Sequence, residues 1–203
     1  MQDRPLSRDE LEADPLAQFA AWFDAARTEG VVETDAMALA TATSDGQPSL
    51  RMVLMKDFGD RGITFFTNYG SRKAIDLEQN PRAALLFYWP ELGRQVRIEG
   101  RVRRAERADS VAYAHSRSRA SQLSALASPQ SRPVSSRGWL EERVAALDRE
   151  HARGELPVSE EWGGYRLQPE VWEFWQHRAN RLHDRFRYER SAGAAWTIER
   201  LGP

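Results

Sequence analysis

The spacing of hydrophobic residues changes along this chain between a helical period and a strand period. Apolar residues three and four positions apart predict an amphipathic helix over residues 15–28, which ends near Gly30. Runs of β-branched and aromatic residues then predict strands, with glycine-containing turns between them. These strands are expected over residues 37–43, 51–56, 63–67, 83–89 and 94–104, with one helix at 71–79 between the third and the fourth.

The second half of the chain begins with helices and returns to strands. Helical patterns cover residues 105–116, 119–127 and 136–153, and strands follow at 164–167, 171–176, 185–189 and 196–201. The segment 128–135 is rich in serine and proline, as a linker is. Strands in both halves predict a mainly β (α+β) fold: an antiparallel sheet, closed by both termini into a small barrel, with helices on its flank. Residues 1–14 are polar and acidic and are expected to be a mobile segment before a single domain over 15–203.

Composition and charge exclude several classes of function. The 203 residues are 41% hydrophobic and 10% aromatic, as in an ordinary globular protein. The formal net charge of −1 gives no overall attraction to nucleic acid. The absence of cysteine excludes thiolate catalysis and Cys-based metal sites, and the four histidines form no metal-binding motif, so no metal is expected. With no signal peptide or long apolar segment, we expect a cytoplasmic protein without a membrane partner.

Two cations occupy an unfavourable position at the beginning of the helix over 71–79. Arg72 and Lys73 directly follow Ser71, the expected N-cap, where the helix dipole is already positive. A bound anion would compensate, because free N–H groups and both cations converge on it. A solvated basic turn is the alternative, and Arg51 and Lys56 on the neighbouring strand favour the anion site.

A second basic group has a helical spacing. Tyr113 and Arg117 are four residues apart and share a helix face, and Ser121 follows four residues later. This combination is suited to a second phosphate, and an exposed basic helix end is the alternative.

A third group combines aromatic and charged residues. The segment 171–176 contains two tryptophans, which offer flat apolar surfaces for a planar ring. Arg181 and His183 share one face if their segment is extended. The alternative is that the tryptophans belong to the core and that the arginines pair with Asp184 and Glu189.

These motifs resemble those of the pyridoxine/pyridoxamine 5′-phosphate oxidase family, which are FMN-dependent split-barrel flavoenzymes. They follow the family order from about residue 15 to the C-terminus. The motifs are Arg51-Met-Val-Leu-Met-Lys56, Thr67-Asn-Tyr-Gly-Ser-Arg-Lys73, Arg94-Gln-Val96, Tyr113-x-His-Ser-Arg117, Gln130-Ser131, Glu173-Phe-Trp-Gln176 and Arg181-Leu-His-Asp-Arg185. The resemblance implies a homodimer with two FMN sites at the subunit interface. It also changes the interpretation of segment 128–135 from linker to cofactor contact.

The resemblance implies a role for individual residues. FMN would be held by Arg51, Met52, Val53, Leu54, Met55, Lys56, Phe66, Thr67, Arg72 and Lys73, the last two at its phosphate. Its ribityl chain or ring would contact Gln95, Gln130, Ser131, Trp175 and Arg185. The substrate phosphate would be held by Lys56, Tyr113, Arg117 and Ser121. Arg181, Leu182 and His183 would lie against the substrate ring, with Arg181 and His183 as the catalytic residues.

The implied reaction moves a hydride from C4′ of pyridoxamine or pyridoxine 5′-phosphate to the flavin and gives pyridoxal 5′-phosphate. Oxygen then reoxidises the flavin and yields hydrogen peroxide. Three features depart from the family: the N-terminus lacks a basic, tyrosine-containing arm, Phe66 replaces a common tyrosine, and residues 177–180 replace a glycine-rich loop. Three other functions stay open: a split-barrel flavin oxidase of another substrate, such as a phenazine precursor, a flavin-binding or phosphate-binding protein without turnover, and a colourless structural domain.

Overall fold

A computed structural model describes residues 4–190 and 195–203. Within these residues, nine strands form one antiparallel sheet. Their bounds are β1 (Ala36–Ala42), β2 (Pro48–Leu54), β3 (Asp57–Gly59), β4 (Gly62–Asn68), β5 (Arg82–Trp89), β6 (Arg94–Arg104), β7 (Trp162–Gln176), β8 (Asp184–Glu189) and β9 (Thr197–Arg200). The predicted antiparallel sheet is confirmed.

The long strand β7 is where the sheet branches. The main path runs β2-β1-β5-β6-β7-β4-β3, so β6 follows one side of β7. On its other side, the first part of β7, up to Leu167, pairs with β4, and the part from Val171 onward pairs with β8, which in turn pairs with β9. The predicted strands 164–167 and 171–176 are therefore one strand. A register shift in the β6–β7 pairing at Gly100 accommodates Pro169.

The prediction that both chain termini close the sheet into a barrel is wrong, as the edge strands show. The ends of the main path, β2 and β3, both come from the first half of the chain, and β9 is the outer strand of the branch. The described sheet is consequently a curled half barrel, as in a split barrel. The predicted strand 51–56 begins earlier and ends at Leu54, and residues 57–59 of the predicted turn are a short strand.

Five α-helices flank the sheet in the described part of the chain, as predicted with small differences at their ends. They are α1 (Pro15–Thr28), α2 (Arg72–Gln79), α3 (Arg107–Ser116), α4 (Arg119–Ala127) and α5 (Arg137–Glu150). The carboxylate of Asp14 caps α1 by accepting a hydrogen bond from Leu16 N. Phe19 of α1 is fully buried, and its ring centre lies 5.0 Å from Phe87 and 5.5 Å from Trp172. The core thus lies between α1 and the sheet.

Residues 6–11 make tertiary contacts that the expectation of a mobile segment over 1–14 did not include. Leu6 and Leu11 are buried, and Leu6 N donates to a carboxylate oxygen of Asp184 at 3.0 Å. A short 3₁₀ helix, Arg8–Glu10, lies between them. Residues 1–3 of that prediction lie outside the described residues. Among the helices of the described chain, none has the length and apolar character required to cross a bilayer.

Candidate active site

A cavity of about 790 Å³ opens between β2, β4, α2, α3 and the segment after α4. Five cationic side chains line it, and no aspartate or glutamate is among its lining residues in the described chain. The cations are Arg51, Lys56, Arg72, Lys73 and Arg117. Other predicted site residues in the lining are Met52, Val53, Leu54, Phe66, Thr67, Tyr113, Gln130 and Ser131. The structure therefore brings together the two basic groups that the sequence analysis had treated separately.

The beginning of α2 holds a buried cation without a carboxylate partner in the cavity lining. Ser71 is the N-cap, as predicted, but its side chain makes no capping bond. Lys73 is only 7% exposed, and its Nζ lies 3.0 Å from Thr67 Oγ1 and 3.4 Å from Ser71 Oγ. Burial, together with the charge of Arg51, lowers the pKa of Lys73 to about 8. An anion at this point would compensate the buried charge.

The serine- and proline-rich segment is docked against this cation, so its interpretation as a linker from composition is wrong. The side-chain oxygen of Gln130 accepts hydrogen bonds from Thr67 Oγ1 at 2.8 Å and from Asn68 N at 3.2 Å. Lys73 Nζ donates to the same oxygen at 3.4 Å. Ser131 next to it has a φ of 69°, a left-handed conformation that non-glycine residues adopt rarely.

Three stacked aromatic rings form one wall of the cavity. The ring of Tyr113 lies 4.1 Å from that of Phe66 at an angle of 20°, and Phe66 lies 5.5 Å from Trp162 at 11°. Arg117 Cζ is 5.3 Å from the Trp162 ring centre. Tyr113 and Arg117 thus both line the cavity, although α3 ends at Ser116 and Arg117 is its C-cap, not a residue on the predicted helix face. Ser121 does not line the cavity; its hydroxyl lies 2.9 Å from Ser118 Oγ at the beginning of α4.

Two residues of the predicted FMN segment 51–56, Met55 and Lys56, make contacts outside the cavity. The side chain of Met55 is buried in the core and does not line the cavity. Lys56 lines the cavity and also pairs with Asp35 at 2.9 Å.

The remaining predicted residues form a separate cluster on β6, β7 and β8, and none of them lines the cavity. Trp175 is opposite Gln95 on one side and Arg185 on the other. Its ring centre lies 4.6 Å from that of His183. Arg185 Nε donates to the buried carboxylate of Glu173 at 2.9 Å. Arg185 therefore pairs with Glu173 and not with Asp184 or Glu189, the partners expected if this segment belonged only to the core.

The turn before β8 fixes the orientation of His183. Arg178 N donates to His183 Nδ1 at 3.1 Å, so in the neutral ring the proton is on Nε2. Asn180 and Arg181 have left-handed φ values of 57° and 61°, and Arg181 ends a 3₁₀ helix, Ala179–Arg181. The segment is therefore not extended at Arg181, so the condition under which Arg181 and His183 would share one face is not met. Leu182 is 69% exposed, and Arg181 is also exposed.

Two family models match the sequence of this chain. Residues 23–149 match the model described as pyridoxamine 5′-phosphate oxidase, which is more than half of the chain. Residues 162–203 match the model described as the pyridoxine 5′-phosphate oxidase C-terminal dimerisation region. The chain belongs to the pyridoxamine 5′-phosphate oxidase family. The cavity lining up to Ser131 and Gln95 lie within the first match, and the cluster residues on β7, on β8 and in the turn between them lie within the second.

Several relatives in this family are similar over nearly the whole chain. The pyridoxine/pyridoxamine 5′-phosphate oxidases of Salinibacter ruber and Deinococcus deserti are 54% and 55% identical, over 98% of this chain and 93% of each relative. The crystal structure of PhzG from Burkholderia lata 383, in complex with tetrahydrophenazine-1-carboxylic acid, has a TM-score of 0.91 and 35% identity, with 98% of both chains covered. A pyridoxamine 5′-phosphate oxidase-related, FMN binding protein from Nostoc punctiforme shares the fold, with a TM-score of 0.73 and 20% identity over 94% of this chain and 98% of that one.

Sequence reasoning missed Trp162, which closes the aromatic wall of this pyridoxamine 5′-phosphate oxidase family member. The signal was the Gly163-Gly164 pair that follows it. A Cβ at Gly164 would lie 2.9 Å from the Phe66 ring, so glycine permits β7 to approach β4 closely.

Proposed function

We propose that the protein is an FMN-dependent oxidase that converts pyridoxamine 5′-phosphate or pyridoxine 5′-phosphate to pyridoxal 5′-phosphate, with O2 as the acceptor and H2O2 as the by-product. The observation that carries this proposal is the cavity with five cations and no carboxylate in its described lining. Two phosphate esters, one from the coenzyme and one from the vitamin, would balance these charges. Full-length relatives of that name, about half identical in sequence, support the same substrate.

The cavity fits FMN in size and chemistry. A volume of about 790 Å³ is within the range of small-molecule sites. Arg72, Lys73 and the first N–H groups of α2 would hold the FMN phosphate. Thr67 and Gln130 provide further polar contacts beside it. When bound, FMN would supply the redox chemistry, accepting the hydride from C4′ and passing its electrons to oxygen.

The aromatic wall supports a separate place for the substrate. Tyr113 and Arg117 would bind the substrate phosphate, because both line the cavity beside the stacked rings of Phe66 and Trp162. Lys56 is a further cation for this phosphate. Ser121 stays a predicted contact from the family resemblance.

The cluster around Trp175 completes the site if two chains associate. A match to a dimerisation region supports a homodimer, in which the Trp175 cluster of one protomer faces the cavity of its partner. Exposed apolar side chains accompany both halves: Met52 on β2 is 64% exposed, and Leu182 beside His183 is 69% exposed. Burial of these side chains would stabilise the dimer.

The two residues that the family resemblance proposes as catalytic, Arg181 and His183, lie in the turn before β8. Arg181 would orient the substrate ring and stabilise charge that develops on it. His183 would donate a hydrogen bond through Nε2–H, since its Nδ1 already accepts one from Arg178 N. Leu182, Gln95, Trp175 and Arg185 stay predicted contacts of the same half-site. A cytoplasmic location and the lack of membrane or nucleic-acid partners stay predictions from composition.

The test is an assay of the purified protein with FMN. We expect a yellow protein that consumes oxygen and forms pyridoxal 5′-phosphate from at least one of the two B6 phosphates. Oxygen consumption only with a reduced phenazine carboxylate would instead favour the activity suggested by the PhzG likeness. A yellow protein that turns over none of these compounds would be a flavin-binding protein.

A further inference from the structure

Asp76 is a buried carboxylate behind the cationic cavity, and the proposed function gives it no role. It lies on α2, one turn after the Arg72–Lys73 pair, and is 2% exposed. Its Oδ2 accepts a hydrogen bond from Thr41 Oγ1 at 2.6 Å and lies 3.8 Å from an Arg51 guanidinium nitrogen. Burying a carboxylate is unfavourable unless hydrogen bonds or a cation compensate it, and here Thr41 and Arg51 do so.

Hydrogen bonds to Thr41, Leu39 and Ser49 determine where the Arg51 guanidinium lies. One guanidinium nitrogen donates to Thr41 Oγ1 at 2.8 Å and to Leu39 O at 3.0 Å, and the other donates to Ser49 Oγ at 2.6 Å. Thr41 therefore accepts from Arg51 and donates to Asp76 through one hydroxyl. The result is a fixed relay from α2 through β1 to the cavity-facing strand β2.

The electrostatic surroundings of Arg51 are otherwise unfavourable. Burial and the neighbouring Arg72 lower the pKa of Arg51, whereas Asp76 raises it. The buried ammonium of Lys73 also interacts unfavourably with Arg51. Without Asp76, Arg51 would be repelled by the other cations of the cavity and would have fewer contacts to hold it near them.

We infer that Asp76 is a positioning residue for the FMN site, which holds Arg51 both by its negative charge and through the Thr41 hydroxyl, so that the guanidinium faces the bound anion. This inference deepens the proposed function and rests on it. It predicts the direction in which FMN affinity changes when the carboxylate is removed. A carboxylate near a phosphate site should weaken anion binding by simple Coulomb repulsion, whereas a positioning carboxylate should strengthen it.

The test is the dissociation constant of FMN, measured on apoprotein by quenching of flavin fluorescence. Asp76→Asn removes the charge and keeps an oxygen that can accept from Thr41. We expect its FMN dissociation constant to rise roughly tenfold. Thr41→Val should give a similar loss, and Thr41→Ser, which keeps the hydroxyl, should restore wild-type affinity.

The matched control is Glu78→Gln, which removes a carboxylate from the same helix. Glu78 is exposed and pairs with Arg104, away from Arg51. We expect FMN affinity to change less than about twofold, because the charge of an exposed carboxylate is screened by solvent.

A double-mutant cycle separates positioning from general structural damage. In an Arg51→Gln background, Asp76→Asn should have no further effect on FMN affinity, because its effect acts through Arg51. An equal loss in both backgrounds, or tighter FMN binding by Asp76→Asn, would overturn the inference. If Asp76→Asn does not fold, the Thr41 variants give the same comparison. If the wild-type protein does not bind FMN, the proposed function fails together with the inference. If the wild-type protein binds FMN but the variants behave otherwise than expected, only the inference about Asp76 fails.

Discussion

The ammonium nitrogen of Lys73 lies 3.0 Å from the hydroxyl oxygen of Thr67, at the buried beginning of α2. Both residues line a cavity whose described lining contains no carboxylate. Lys73 is thus a buried cation whose favourable counter-charge would come from a ligand. Hydrogen bonds from charged groups to a phosphate contribute about 1.5–3 kcal/mol each, so this residue should affect both stability and cofactor binding.

The first prediction concerns pH and the apoprotein. Burial and Arg51 lower the pKa of Lys73 from 10.5 to about 8. Between these values the unfolded chain binds more protons than the folded one, so the contribution of Lys73 to stability increases as pH rises from 8 towards 10.5. Thermal unfolding of apoprotein across this range should show the increase, relative to Lys73→Met. If Lys73→Met showed the same increase in stability with pH, the increase would not arise from Lys73.

The second prediction concerns pH and FMN affinity, and its sign is opposite. A phosphate dianion favours the charged ammonium, so binding takes up a proton once free Lys73 begins to lose its own. The FMN dissociation constant should therefore rise above pH 8, by up to about tenfold per pH unit for one linked proton. Fluorescence titrations from pH 7 to pH 9.5 measure this slope. In Lys73→Met the affinity should be lower and nearly independent of pH.

The third prediction separates the substrate phosphate from the cofactor phosphate. Arg117→Met should lower kcat/KM for pyridoxamine 5′-phosphate roughly ten- to hundredfold, the effect of losing one charge-assisted bond, while FMN affinity stays within about twofold. Activity with unphosphorylated pyridoxamine should hardly change. The control is Arg119→Met, because Arg119 pairs with Asp148 and does not line the cavity. Equal losses with both substrates would argue against a phosphate contact.

The fourth prediction tests whether each site contains residues of two chains. Arg181→Ala should reduce turnover far more than FMN content, and a cavity variant, Lys73→Met with Arg72→Gln, should lose FMN. Refolded together in equal amounts, the two inactive variants should recover about a quarter of wild-type activity, because half of the dimers then hold one intact site. No recovery, with heterodimers present by native mass spectrometry, would show that both residues act within one chain.

The fifth prediction concerns the close contact of β7 with α3 and with the turn before α2. A Cβ at Gly163 would lie 2.2 Å from the Tyr69 hydroxyl oxygen and 3.0 Å from Ser110 Oγ. Gly163→Ala should therefore lower the free energy of unfolding by about 1–3 kcal/mol, as overpacking does. Gly59→Ala is the control, because nothing lies within 4 Å of its added Cβ. Urea unfolding measures the free energy of unfolding of both variants. Equal values for Gly163→Ala and Gly59→Ala would show that Gly163 is not closely packed.

The sequence by itself determined most of the elements and part of the site. Hydrophobic periods are local, and they predicted α1, α2 and the strand character of β4 because each depends on residues a few positions apart. The cations at the beginning of α2 and the proximity of Tyr113 to Arg117 were predicted for the same reason.

Only the tertiary structure decided which of these groups meet. Gln130 accepts from Thr67 across 63 residues of chain, and Thr41 joins Asp76 across 35 residues, contacts for which no local spacing gives a signal. The branch of the sheet at β7 likewise separates the Trp175 cluster from the cavity, although both were predicted for one site. Local patterns determine backbone conformation, whereas these contacts depend on how the whole sheet curls, since that alone brings distant side chains within hydrogen-bonding distance.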